Sequence, residues 1–152
     1  MQEDRNLEVV RRLFAAVEER DLEGVLACYS EDVEIHEADV LPYGGVWRGH
    51  DGAARHAAAF VEAWNPFQGS GETRLDARVW GDGAGTVSAL FRHRAVDPAR
   101  GEQLDAPEVS IYQLRDGRIV RSQMFHADSA AVARFLRDAH EQAGPESRVG
   151  QV

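Results

Sequence analysis

The sequence predicts one α+β domain, with helices packed on one face of a mostly antiparallel sheet. Apolar residues recur at helical spacing through the first part of the chain and at a spacing of two through most of the second half. Turn signals separate the alternating runs, which suits hairpins better than helical crossovers. At 152 residues and 43% apolar content, the chain has the size of a single domain that buries its own core.

Taken in order, residues 3–19 carry Leu7, Val10, Leu13, Phe14 and Val17 on one side, opposite Arg11, Arg12, Glu18 and Glu19, a pattern that predicts an amphipathic helix. Asp21 is placed to cap a second, short helix with Leu22, Val25, Leu26 and Tyr29. The period then changes: Val33 and Ile35 alternate with Glu34 and His36, as in a strand with one buried face. Pro42, Gly44, Gly45 and Gly49 make a loop, and Asp51 is expected to cap a third helix at 53–64, stopped by Asn65-Pro66. Strands are expected at 73–80, 86–96, 102–114 and 119–127, with Asp116-Gly117 as a tight turn, and a short helix at 130–140. The domain is therefore placed at 1–142, and the Pro-, Gly- and polar-rich stretch 143–152 is expected to be a loose tail.

Composition removes several chemistries. All seventeen basic residues are arginine, so Schiff-base and pyridoxal-phosphate catalysis lack their amine. Cys28 alone allows neither an intrachain disulfide nor a thiolate zinc cage. A net charge of −9 without a basic cluster argues against nucleic acid as partner. No apolar run approaches membrane-spanning length, and the acidic start, Met1 to Asp4, is unlike a signal peptide, so a cytoplasmic protein is expected. The local spacing of histidines and carboxylates matches no metal-ligand motif, and no metal site is expected.

Strand parity nominates residues independently of any relative. Glu37 shares the face of Val33 and Ile35 and should point inward, where a carboxylate among apolar groups can act as a base. His36 should face outward. In the final strand Ser122, Met124 and His126 share a face with Val120. His93 lies with Val87, Ala89 and Phe91, leaving Arg92 and Arg94 outside. Tyr112, Ser110 and Glu108 share a face, but Pro107 leaves open which face that is. Tyr43, Trp47 and Trp64 read as pocket wall and core. His56 reads as a solvated helix residue.

The element order resembles the SnoaL-like branch of the NTF2-like superfamily, carried by Glu19-Arg20-Asp21-Leu22-Glu23, Tyr29-Ser30-Glu31-Asp32-Val33, Leu41-Pro42-Tyr43-Gly44-Gly45, Arg115-Asp116-Gly117-Arg118-Ile119 and Phe125-His126-Ala127-Asp128. The resemblance implies a bent sheet wrapped around a conical cavity, usually in a homodimer. It also implies a catalytic aspartate at Asp128, although Asp128 directly precedes a helix and reads locally as an N-cap. The isomerase branch carries a tyrosine late in the first helix, where this chain has Leu13 and Phe14, and an aspartate on a later strand, where it has Pro107 or Glu108. The expected function is a cofactor-free cyclase or isomerase moving a proton beside a carbonyl of an apolar, polyketide-like molecule. Asp128, His126 and Glu37 would be catalytic, and His93, Tyr43, Trp47, Trp64, Tyr112, Met124 and Phe14 would bind substrate. The alternative is a non-catalytic small-molecule-binding or dimerising module of the same fold.

Overall fold

The computed structural model describes residues 2–149, with side chains described as far as residue 141. Helix α1 (Gln2–Glu18) opens with Glu3 and Asp4, whose charges complement the N-terminal end of the helix dipole. It buries Val9, Val10, Leu13 and Phe14 along one stripe. Arg20, in the left-handed region at φ 57°, turns the chain into α2 (Leu22–Cys28). The Asp21 carboxylate caps α2 by accepting from Gly24 N at 3.0 Å, a bond of about 1 kcal/mol. The fold then continues through β1 (Tyr29–Glu37), β2 (Gly45–Arg48), α3 (Gly49–Trp64), a single 3-10 turn (Asn65–Phe67), β3 (Arg78–Gly81), β4 (Thr86–Asp97), β5 (Glu102–Arg115), β6 (Arg118–His126) and α4 (Ser129–Val149).

The six strands form one open, curved sheet in the order β2-β1-β6-β5-β4-β3. Only β1 and β6 run parallel; every other neighbouring pair is antiparallel. Asp116 and Gly117, at φ 53° and 75°, make the turn between β5 and β6 that their sequence predicts. One apolar cluster joins α1 and α2 to the inner sheet face through Val10, Leu13, Phe14, Val33, Ile35 and Phe91. A second gathers Tyr43, Trp64 and Phe67 with Val132, Phe135 and Leu136 of α4. Buried Asp97 bonds Arg100 Nε at 2.6 Å, and Arg100 reaches Asp138 at 3.5 Å, tying the β4–β5 turn to α4.

The α+β class holds, while four boundaries differ from expectation. The glycine-rich loop contains β2, because Val46 and Trp47 pair with His36 and Ile35 of β1. That strand runs straight into α3, so the helix starts at Gly49 rather than after Asp51, behind an Arg48 N-cap whose side chain makes no capping bond. The strand expected at 73–80 shrinks to β3. Turns bond Glu72 N and Thr73 N back to Gly69 O, and Asp76 takes φ 49°, which breaks the extended backbone. Finally α4 is not short: it has 21 residues and carries through Gly144 and Pro145 to Val149, where a loose tail was expected. Ala139, Glu141, Gln142 and Ala143 are good helix formers, which accounts for the extension past His140. Residues 150–152 of the expected tail lie outside the described ones. Among the described residues no helix is long and apolar enough to cross a membrane.

Candidate active site

Between α1, α2, α3 and the inner sheet face lies a cavity of about 260 Å³. Its wall is mostly apolar, with Leu13, Phe14, Val25, Phe60, Val61 and Phe91, and its volume sits just below the about 300–1,000 Å³ typical of small-molecule sites. The polar residues on the wall include Glu37, His56, His93, Glu108, Ser110 and Tyr112. Each arrives by strand parity or helical spacing. Glu37 continues the Val33–Ile35 face of β1, and His93 continues the Phe91 face of β4. Glu108, Ser110 and Tyr112 form the inward face of β5. His56 sits on the buried side of α3 with Ala53, Ala63 and Trp64.

These groups form a chain of alternating imidazoles and carboxylates. His56 Nε2 lies 3.1 Å from Glu37 Oε1. His126 Nε2 stands between the two acids, 3.6 Å from Glu37 Oε2 and 3.4 Å from Glu108 Oε1. His93 Nε2 closes the chain 2.7 Å from Glu108 Oε2. The sheet register makes this meeting inevitable, since Glu108 is the ladder partner of His126 across the β5–β6 pair. Both carboxylate side chains are almost wholly buried, at 4% and 2% exposure, so each must keep a cationic or proton-donating neighbour. Burial pushes the Glu37 carboxyl up, but the His126 and His56 imidazoles outweigh it and hold the group below its ordinary value. Burial pulls the His126 imidazole down, and Glu37 and Glu108 together more than reverse it, holding the group above its ordinary value.

A second layer of aromatic rings holds the imidazoles in place. Trp64 stacks on His93 with ring centroids 4.9 Å apart and an interplanar angle of 13°. Tyr43 and Trp47 lie against His56 at 6.0 and 5.9 Å. The Trp64 indole N–H donates to the Tyr43 hydroxyl at 2.9 Å, and the Trp47 indole N–H donates to Tyr43 O at 3.0 Å. Burial raises the Tyr43 hydroxyl well above its ordinary value, keeping it neutral in this role.

Of the residues nominated from the sequence, Glu37, His93, Tyr112, Met124 and Phe14 line the cavity. His126 is buried with them but stands behind the two carboxylates rather than on the wall. Tyr43, Trp47 and Trp64 are not wall residues: their polar atoms bond one another, and their rings back the histidines. Asp128 lies outside the cavity. It is exposed at the start of α4, where its carboxylate accepts from Ala131 N at 2.9 Å, so the local capping role prevails over the one implied by resemblance. His36 faces outward and pairs with Glu34 at 3.1 Å, as parity predicts.

Two wall residues escaped the sequence reading. Pro107 leaves the face of Glu108 open in the sequence, yet β4 and β5 pair in unbroken register from Thr86↔Gln113 to Asp97↔Glu102, with Pro107 opposite Arg92. Parity along β5 therefore holds. His56 is expected to be solvated, although it lies three residues after Ala53 and four before Phe60, the spacing of one helix face.

A model of the SnoaL-like domain matches residues 10–122 of this chain. The chain belongs to the SnoaL-like family. An uncharacterised protein of Mycobacterium tuberculosis is 33% identical over 135 residues, spanning 89% of this chain and 98% of that protein. Among solved structures, an NTF2-like protein of unknown function from Burkholderia pseudomallei superposes with a TM-score of 0.72 at 26% identity, covering 87% of this chain and 97% of that one. A putative SnoaL-like polyketide cyclase from a Jannaschia species gives a TM-score of 0.65 at 19% identity, covering 86% and 90%. The NTF2-like architecture of this SnoaL-like chain is thus shared, while at that last identity the likeness concerns fold alone.

Proposed function

We propose that this SnoaL-like protein is a cofactor-free isomerase or cyclase that moves a proton beside the carbonyl of a compact, apolar small molecule. The observation that carries the reading is the carboxylate–imidazole chain exposed at one part of an otherwise greasy wall. Glu37 is the base. His56 lies 3.1 Å from its Oε1, and the carboxylate lines the cavity, where it can receive a proton from carbon. A carboxylate held below its ordinary value is a weak base, so its effectiveness comes from fixed placement against the substrate in a water-poor cavity. Glu108 and His93, 2.7 Å apart, are positioned to return a proton or to donate to the developing enolate oxygen. His126 is a positioning residue: its imidazole stands between Glu37 and Glu108 and balances their charge without itself meeting the substrate. The apolar wall folds the ligand and excludes water, which is what an intramolecular ring closure or a double-bond shift requires. The SnoaL-like domain match over residues 10–122 agrees with this choice of chemistry.

The test needs no knowledge of the natural substrate. A panel of bicyclic aryl ketones deuterated beside the carbonyl is incubated with protein, and deuterium wash-out is followed by proton NMR. Protein-dependent exchange that Glu37→Gln abolishes is expected. Saturable binding across the panel with no exchange would instead define a binding module.

A further inference from the structure

We infer that Glu37, Glu108 and His126 form a binding site for a divalent transition-metal ion of zinc's class. The inference goes beyond the proton-transfer reading and stands on different observations. The first is spacing. One donor atom from each of the three residues lies within 4.8 Å of the other two. The separations from His126 Nε2, 3.4 and 3.6 Å, are too long for charge-assisted hydrogen bonds, which run about 2.7–2.9 Å. They match the ligand-to-ligand edge of a tetrahedral ion, roughly 3.4 Å when bonds are about 2.1 Å.

The second observation is that the inward atoms lack aligned partners. Glu37 Oε2 and His126 Nε2 are buried and make no hydrogen bond among the described residues. Their side chains are 4% and 1% exposed. Leaving such atoms unsatisfied costs on the order of 1–3 kcal/mol each, and a coordinated ion satisfies all of them together. The third observation is the outer layer. His56 Nε2 bonds the other oxygen of Glu37 at 3.1 Å. Metal-bound carboxylates are oriented by second neighbours of this kind. Charge agrees as well: among the described residues the two buried carboxylates pair with imidazoles alone and with no arginine. One imidazole and two carboxylates suit zinc, iron(II) or cobalt(II) rather than a soft ion.

With an ion bound, Glu37 is a ligand, so the proton-transfer reading describes the ion-free protein. The experiment therefore measures binding and not turnover. Untagged, chelator-stripped protein is titrated with Zn²⁺ and with Co²⁺ by calorimetry, the cobalt complex is recorded in the visible range, and zinc-edge X-ray absorption is collected on the wild-type complex. One ion per chain, cobalt bands of low coordination number and a nitrogen/oxygen shell without sulfur are expected. Glu37→Gln and Glu108→Gln, checked for fold by circular dichroism, should each weaken binding at least 100-fold. His56→Ala should weaken it about 10–100-fold. His36→Asn, which alters an outward pair with Glu34, should leave it unchanged. Absence of stoichiometric binding overturns the inference, as does binding indifferent to both glutamine variants or lost in His36→Asn. Should a variant fail to fold, the wild-type absorption spectrum decides alone: a shell of more than one imidazole, or of water only, refutes this ligand set.

Discussion

The sharpest prediction sets Asp128 against Glu37, because the two carboxylates have opposite structural circumstances. Asp128 is exposed and accepts one capping bond of 2.9 Å from Ala131 N. Replacing it with alanine removes that bond and costs about 1 kcal/mol, which for a chain of this size lowers Tm by roughly 2–4 °C. Asn caps as well as Asp, so Asp128→Asn should leave Tm within a degree or so of wild type. Neither change touches the cavity, and wash-out of deuterium per folded molecule should be unaltered. Glu37→Gln reverses the pattern. It reduces a charge-assisted bond from His56, worth about 1.5–3 kcal/mol, to a neutral one, but it also removes the cost of burying a carboxylate. The net change in stability should be small, while loss of the positioned base slows exchange about 10²–10⁴-fold. Differential scanning fluorimetry gives the first quantity and NMR-detected ketone exchange the second, on the same four proteins. The reasoning is refuted if Asp128→Asn loses exchange while Glu37→Gln retains it, since the catalytic carboxylate would then be the one placed outside the cavity.

Three further outcomes follow from the structure. Tyr43→Phe strands the buried Trp64 indole N–H, so urea unfolding should show a loss of about 1–3 kcal/mol without loss of the cavity. Asp97 is held below its ordinary carboxyl value of 3.8, chiefly by its bond to Arg100. A depressed carboxylate contributes stability that is complete above that ordinary value and is lost as pH falls through the lower folded one. Urea midpoints should therefore fall steeply below about pH 4, and Arg100→Ala should flatten that part of the curve. Ketone exchange should survive exhaustive treatment with a chelator, because the proposed chemistry uses only side chains; exchange that vanishes on chelation and returns with added Zn²⁺ would sink the cofactor-free reading.

How much of this was legible in the sequence depends on whether a contact is made by pattern or by pairing. Period-two alternation put Glu37 beside Val33 and Ile35, and His93 beside Phe91, because in a strand parity alone chooses the face. Alternation could not show that Tyr43 and Trp64 would bond each other and lie behind His56 and His93. An aromatic on an apolar face reads the same whether it meets the ligand or supports a residue that does. Pro107 looked like a place for a bulge, yet the ladder runs through it opposite Arg92, so the sequence-level caution hid Glu108. Asp128 shows the converse: its neighbours in the chain identified a helix cap, and the wider likeness pointed elsewhere.

The cluster of Glu37, Glu108 and His126 is invisible to motif reading for a related reason. Motifs look for chemical groups a few residues apart on one element, whereas positions 37, 108 and 126 come from three strands. What unites them is register. Glu108 pairs with His126 across one ladder, and the parallel pairing of β1 with β6 carries Glu37 to the same end of the sheet, one residue beyond His36↔Gln123. A one-residue slip of β6 would turn His126 to the outer face and leave both carboxylates without their shared imidazole. Register therefore assembles the cluster through packing: the apolar face of β1, closed by Val33 and Ile35 at zero exposure, fixes where a buried acid can sit, and the same packing brings its partner to it.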